Sequence, residues 1–236
     1  YLNEHPGVRP AFKKSLQFFS VTYDKGTDWY RAHFPHEDEM QGGPGDGRYL
    51  TGEATPNYIY HPLCAERASS VVPDAKLIVL LRNPIERAYS NYHHMVRTKR
   101  ERLTFEEAIA AEDERLVGSV EKIKNNPNAS LKNFFNFSYL ARGRYIEQVE
   151  NWLQFYPREQ ILFLRSEDMF ENPAKMFGQI SDFLALPDFD LKEYPNANPG
   201  KYTPMKAETQ TTLAEYFRPY NERLTALLGI DFGWDA

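Results

Sequence analysis

Two short, uninterrupted apolar runs set the pattern of the chain: Leu77-Ile-Val-Leu-Leu81 and Ile161-Leu-Phe-Leu164. Each ends directly on an arginine, Arg82 and Arg165. Apolar runs of this length, rich in branched side chains, read as strands covered on both faces. Elsewhere the apolar residues recur at helical spacing. Residues 62–72 place Leu63, Arg67 and Val71 four apart. Thr104-Phe-Glu-Glu107 fits a capping box, and the helix it opens carries Phe105, Ala108, Ile109 and Leu116 on one face. Tyr145 to Phe155 groups Tyr145, Val149, Trp152 and Leu153. Asn172-Pro173 opens a helix with Met176, Phe177, Ile180, Phe183 and Leu184 together. A last helix holds Leu213, Phe217, Leu224, Leu227 and Leu228, with a kink expected at Pro219. Apolar strands alternating with amphipathic helices predict an α/β fold with a parallel sheet covered by helices.

The remaining segments read as follows. The first 35 residues are rich in aromatics, of which Phe18, Phe19, Trp29, Tyr30 and Phe34 are expected to bury, and Asp24-Lys25-Gly26 signals a turn. Met40 to Arg48, dominated by glycine and proline, is a loop, and Leu50 to Glu53 is expected to form a short strand. Asn125 to Ser130 is a second loop. Pro187 to Pro204 is a long proline-rich irregular segment, the kind that carries function in a compact domain or has no fixed structure. No internal repeat or low-complexity tract is present.

Composition narrows the classes. With 236 residues, 42% apolar and 26% charged, the chain suits one sizeable α/β domain spanning residues 1–236. A net charge of −5 gives no support for nucleic-acid binding through a basic surface. The single Cys64 cannot form an internal disulfide, and no apolar run is long enough to span a membrane. The single cysteine favours a cytoplasmic location, with the Golgi lumen as the alternative.

The chemistry starts at Arg82. Asn83 is a good N-cap and Pro84 an ideal first helical residue, so a helix begins immediately after the strand. Its free N–H groups and positive dipole end are expected to favour an anion, and Arg82 adds a planar guanidinium. Ser90, seven residues after Asn83, returns to about the same helix face. Together they describe a phosphate site. The competing reading pairs Arg82 with Glu86 or another carboxylate.

In its wording, Leu-Arg-Asn-Pro-x-x-Arg-x-x-Ser after an apolar strand resembles the 3′-phosphate motif of sulfotransferases that use 3′-phosphoadenosine 5′-phosphosulfate (PAPS). Other segments resemble the family in the same order. Lys14-Ser-Leu-Gln-Phe-Phe19 matches its Lys-Glu-x-His-Phe-Phe segment, and Gly52-Glu-Ala-Thr-Pro-Asn-Tyr58 its Gly-Glu-x-[Ser/Thr]-Pro-x-Tyr segment. Gly143-Arg-Tyr145, followed by Trp152-Leu153, matches the Gly-x-Tyr helix start. Gly200-Lys-Tyr202-x-Pro204 matches the C-terminal loop that closes over the nucleotide. The likeness is nearest to the carbohydrate (heparan-sulfate type) branch and its bacterial relatives. It implies a P-loop-like three-layer fold with a central parallel sheet flanked by helices. It also implies PAPS as co-substrate without a metal, and a hydroxyl-bearing acceptor, a glycan or small molecule. Arg82 and Ser90 are then expected at the 3′-phosphate, with Gly200, Lys201 and Tyr202 at the nucleotide.

Two departures bear on catalysis. The family's glutamate base is Ser15 here and the histidine two residues on is Gln17; the lysine often found after Glu53 is Ala54. Glu53 is the nearest carboxylate in a matching motif and becomes the candidate base, its alternative role being a cap or a partner for an arginine. His93 and His94, just beyond Ser90, suit surface or packing roles. The other departure lies at Tyr1-Leu-Asn-Glu-His-Pro6, which resembles the stretch following the family's 5′-phosphosulfate loop. The resemblance implies that this loop and the strand before it are missing from the sequence. Two further function classes stay open: a degenerate member that binds nucleotide or glycan without turnover, and a P-loop kinase-like phosphotransferase. Arg97-Thr-Lys-Arg100 reads as a solvated face, and the glycosylation triplets at Asn128 and Asn136 are short enough to arise by chance.

Overall fold

In the computed structural model, residues 1–45, 47–126, 132–194 and 203–234 are described. In chain order their elements are α1 (Gly26–Arg31), α2 (Cys64–Val71), β1 (Leu77–Leu81), α3 (Pro84–Arg97), α4 (Phe105–Ala110), α5 (Glu112–Leu116), α6 (Ser119–Asn125), α7 (Lys132–Phe137), α8 (Tyr145–Leu153), β2 (Ile161–Arg165), α9 (Asp168–Glu171), α10 (Pro173–Leu184) and α11 (Ala207–Leu228), joined by loops and short 3-10 turns. They fall into two compact units, Tyr1–Leu80 with Phe155–Ala197 and Leu81–Gln154 with Asn198–Ala236.

In the first unit, β1 and β2 pair as a two-stranded parallel sheet. Leu164 packs with Met176 and Ile180 of α10, joined by Leu2, Ile78, Leu162 and Leu184. Asn172 caps α10, its Oδ1 accepting from Lys175 N at 3.1 Å. β1 is less buried than its composition predicts. Leu80 is 44% exposed and only Leu81 is buried, because among the described residues β1 has a neighbour on one edge only.

The aromatic segment forms its own cluster. Phe18 stacks on Tyr30 with ring centroids 4.5 Å apart, and Phe19 meets Tyr30 and Tyr58 edge-on or tilted. Trp29 and Phe34 are half-buried. The buried Arg67 ties this cluster to α2, its Nη1 donating to Phe19 O at 2.8 Å. The strand expected at Leu50 to Glu53 does not form. Leu50 makes a single parallel bridge to Val8, and beyond it side chains replace the backbone ladder in holding the segment.

The second unit packs Ile85, Ala88 and Tyr89 of α3 against Phe105, Ala108 and Tyr139, with Leu213 and Phe217 of α11. The capping box at Thr104 is present, with Thr104 N donating to Glu107 Oε2 at 2.9 Å. The helix it opens is shorter than the periodicity predicts, breaking at Ala111. There the buried Glu112 turns its carboxylate onto the N–H groups of Leu140 and Ala141, at 2.6 and 2.7 Å. α11 runs unbroken through Pro219.

Candidate functional site

Arg82 follows β1 directly, and Asn83 and Pro84 start α3 as the sequence predicts. One expectation fails. Asn83 Oδ1 accepts from Ile85 N at 2.9 Å and from Glu86 N at 3.2 Å, Pro84 has no N–H, and Arg87 N bonds Asn83 O. The first turn therefore offers no spare backbone donor. The same capping residue that starts the helix consumes the groups an anion would have used. What remains is the helix dipole and side chains.

Arg82 stands at the positive end of a 14-residue helix, where a cation is electrostatically misplaced without an anion. Among the described residues it pairs with Glu86 alone, at 3.7 Å, both side chains more than a third exposed, so solvent screens the pair. The pairing anticipated from sequence exists, yet it is long and leaves the guanidinium accessible. The backbone beneath it is fixed: Tyr145 Oη donates to Arg82 O at 2.9 Å, and Tyr145 is buried. Gly143 lets this happen. A Cβ there would lie 2.7 Å from the Phe217 ring and 3.0 Å from Pro84, so only glycine admits the close approach to the start of α3. Ser90, half-buried, lies further along α3. The positioning role of Gly143 and Tyr145 was not read from the sequence, though a glycine two residues ahead of a helix's first aromatic is the mark it leaves.

His93 packs edge-on against Tyr89 at 4.4 Å, and burial lowers its pKa, while His94 receives Arg97 Nη2 at 3.1 Å. Both have packing or local roles, as expected.

The other candidates meet within the first unit. Glu53 Oε2 accepts from Thr55 Oγ1 at 2.9 Å, and Thr55 Oγ1 in turn accepts from Gln17 N at 3.2 Å. Ser15 Oγ donates to Ala54 O at 3.5 Å. The segment carrying Ser15 and Gln17 is thus laid against the segment carrying Glu53. Burial pushes the Glu53 carboxyl up, against the opposing pull of the Tyr58 and Thr55 hydroxyls and the Leu16 N–H. Tyr58 faces the carboxyl without full hydrogen-bond geometry, leaving Oε1 buried and unpartnered. No arginine pairs with Glu53 among the described residues. Ser15 and Gln17 both adopt left-handed backbone, φ 51° and 56°, which costs a residue with a side chain. The half-buried Glu53, its carboxyl raised, therefore sits beside a turn of strained backbone, a combination also found at chemical sites. Gly200, Lys201 and Tyr202 lie outside the described residues.

These features define an α/β protein with an arginine presented at the carboxyl end of a parallel strand. Residues 61–211 match the family model "Sulfotransferase domain". A crystal structure of a sulfotransferase from Alicyclobacillus acidocaldarius is similar over 100% of this chain and 92% of that one, at 30% identity and a TM-score of 0.72. The chain belongs to the sulfotransferase family, and its fold is of that family's α/β, P-loop-like class. Curated relatives include the membrane-associated sulfotransferase kil1 of Dictyostelium discoideum, 30% identical over 99% of this chain and 62% of that protein. Human heparan sulfate glucosamine 3-O-sulfotransferase 3A1 is 29% identical over 100% of this chain and 58% of that protein. The chain thus spans about three fifths of the length of these relatives. Among the described residues no helix is long and apolar enough to cross a membrane.

Proposed function

We propose that this protein moves a sulfuryl group from PAPS to a hydroxyl of a carbohydrate. Arg82 and Ser90 hold the 3′-phosphate, and Glu53 takes the proton of the acceptor hydroxyl. The observation that supports it most is Arg82: a cation at the positive end of α3, with its carbonyl fixed by Tyr145 and, among the described residues, a screened glutamate as its ion-pair partner. A dianionic phosphate relieves that arrangement, and a guanidinium suits it in two-pronged fashion. The residues present therefore fit the nucleotide through side chains and dipole, with no backbone cradle at this helix. Gly200, Lys201 and Tyr202 join this reading through the resemblance alone.

Bound PAPS supplies an activated sulfuryl group on a phosphate leaving group. The chain's own part is to orient the nucleotide and accept a proton. Glu53 is suited to the second task because its raised pKa makes it a stronger base than an exposed carboxylate once ionised. Thr55 fixes one of its oxygens, and the other, Oε1, lies buried toward the Tyr58 hydroxyl.

Thermal-shift measurements with 3′-phosphoadenosine 5′-phosphate (PAP), AMP and ATP test the nucleotide site. Stabilisation by PAP that disappears in Arg82→Ala supports it; stabilisation by ATP and not by PAP overturns it in favour of a kinase-like enzyme. Transfer of label from PAPS to glycan then tests turnover. Ser15 favours one second reading, a member that binds nucleotide or glycan without turnover, since a hydroxyl is no base at neutral pH. PAP binding without label transfer would establish it.

A further inference from the structure

The segment after α11 does not trail away from the second unit. A segment near a chain end frays unless something ties it down. Here α11 closes on a left-handed Gly229, φ 66°, and a second turn at Gly233, φ 67°, is held by its N–H donating to Asp231 Oδ1 at 2.8 Å. Phe232 and Trp234 are buried by these turns, 4% and 9% exposed, with their rings stacked 4.5 Å apart. The Trp234 ring in turn lies 5.7 Å from the Tyr145 ring, tilted by 48°. A buried indole ordinarily finds an acceptor, yet Trp234 Nε1 has none among the described residues. The position uses the flat ring and forgoes the hydrogen bond.

Tyr145 is the residue whose hydroxyl donates to Arg82 O. That hydroxyl sits at the end of a long lever. A swing of about 30° at χ1, still within one rotamer well, carries it out of hydrogen-bond range. Close packing against the ring is what restricts such a swing. We propose that Trp234 is a positioning residue for Arg82, acting through Tyr145: the folded-back tail wedges its indole against the Tyr145 ring and keeps the hydroxyl on the Arg82 carbonyl. The consequence for nucleotide affinity rests on the reading of Arg82 as a 3′-phosphate ligand; the hold on the carbonyl does not. The competing account is that the tail only fills core volume.

The experiment compares the whole chain with Trp234→Leu, Trp234→Phe, Tyr145→Phe and the double variant Trp234→Leu/Tyr145→Phe. Two quantities are read: PAP affinity by calorimetry, and the Arg82 carbonyl ¹³C resonance by NMR, which responds to loss of a donor. Trp234→Leu is expected to weaken PAP binding about fivefold and to move the Arg82 resonance in the direction that Tyr145→Phe moves it. Trp234→Phe keeps a flat ring and should stay within about twofold of wild type. The double variant should bind PAP no more weakly than Tyr145→Phe alone, because the hydroxyl through which Trp234 acts is already gone. Phe134→Ala removes another buried ring of the same unit, and should lower the melting temperature with both readings unmoved. Trp234→Met, which keeps an unbranched apolar side chain, takes the place of Trp234→Leu if that variant does not fold. An unmoved Arg82 resonance, additive losses in the double variant, a Trp234→Phe affinity no better than that of Trp234→Leu, or an equal loss in Phe134→Ala would each overturn the proposal. Failure of the wild-type chain to bind PAP would instead strike the nucleotide reading, and the Arg82 resonance would still decide this one.

Discussion

Two buried or half-buried glutamates, one in each unit, have been driven in opposite directions. Glu101, 5% exposed, lies between α3 and α4 and is surrounded by donors. Arg115 reaches it with Nη1 at 2.5 Å and Nη2 at 3.2 Å, Tyr139 Oη at 2.9 Å, and the N–H groups of Arg102 and Leu103 at 2.9 and 3.1 Å. Burial alone would raise its carboxyl; Arg115 and the other donors hold it at about 2 instead. Glu53 accepts from Thr55 at 2.9 Å, with weaker help from the Tyr58 hydroxyl and the Leu16 N–H, and burial wins. The contrast sets a carboxylate built for structure against the one proposed as the base. Every lone pair of the first is spoken for, whereas the second has Oε1 buried toward Tyr58 without full hydrogen-bond geometry, at a cost in stability.

The sharpest way to break the contrast is to neutralise each glutamate in turn. Glu53→Gln keeps the shape and removes the base, so turnover is expected to fall by about 10²- to 10⁴-fold. PAP affinity and melting temperature should stay near wild type. The same residue sets a pH dependence. A carboxyl raised in the folded state stays protonated to higher pH, so turnover rises with pH through that raised value and then levels. By the same sign, folding stability falls slightly as pH rises from the ordinary carboxylate range through the folded value. Equal turnover in Glu53→Gln, or a pH profile it leaves unmoved, would return Glu53 to a structural role.

Glu101→Gln should do the converse. It strands the partly buried Arg115 and is expected to cost about 3 kcal/mol of stability, with turnover per folded molecule intact. Here the folded carboxyl is depressed, so its stabilisation is present in full above the ordinary carboxylate range. It is lost as pH falls through about 2. Chemical denaturation at pH 7 and pH 3 measures both effects. The pH 7 minus pH 3 difference should shrink in the variant.

Much of this was legible beforehand, and the gaps have physical causes. Both strands, the caps at Asn83, Thr104 and Asn172, and the helices α8 and α10 follow from apolar runs and local capping, which act within a few residues. The break at Ala111 did not, because Glu112 is turned inward by N–H groups of Leu140 and Ala141, far along the chain. The strand expected at Leu50 to Glu53 failed for a similar reason: Leu50 pairs with backbone of the distant Gly7 and Arg9, and beyond it the side chains of Glu53 and Thr55 reach the backbone of the turn at Gln17. At the site, Arg82 and Glu53 were found as residue types in motifs. The loss of free donors at α3 could have been inferred from Asn83 itself, since a good cap is by definition a competitor for any anion. The raised carboxyl of Glu53 could not, since it depends on burial by a cluster assembled in three dimensions.

Arg82 extends the contrast to a cation. Arg82→Lys keeps the charge and loses the fork, and is expected to weaken PAP binding about tenfold, read by thermal shift or calorimetry. An unchanged affinity would mean that the charge near the dipole, and not two-pronged contact, does the binding.

The smallest expected effect asks whether Tyr145 positions Arg82 or merely fills space. Tyr145→Phe keeps the ring against Trp234 and removes one hydrogen bond to a backbone carbonyl. The net loss should be about 1 kcal/mol, and the question is where it appears. If the bond only supports the core, it shows as lowered stability with PAP affinity unchanged. If it sets the angle at which Arg82 leaves β1, PAP affinity falls about fivefold, and the double variant with Arg82→Ala shows no further loss. Gly143 argues for the second outcome. Its missing side chain lets the segment leading into Tyr145 approach the start of α3 more closely than any other residue would allow. A contact made by omitting a side chain and completed by a single hydroxyl is better suited to fixing a position than to adding bulk stability.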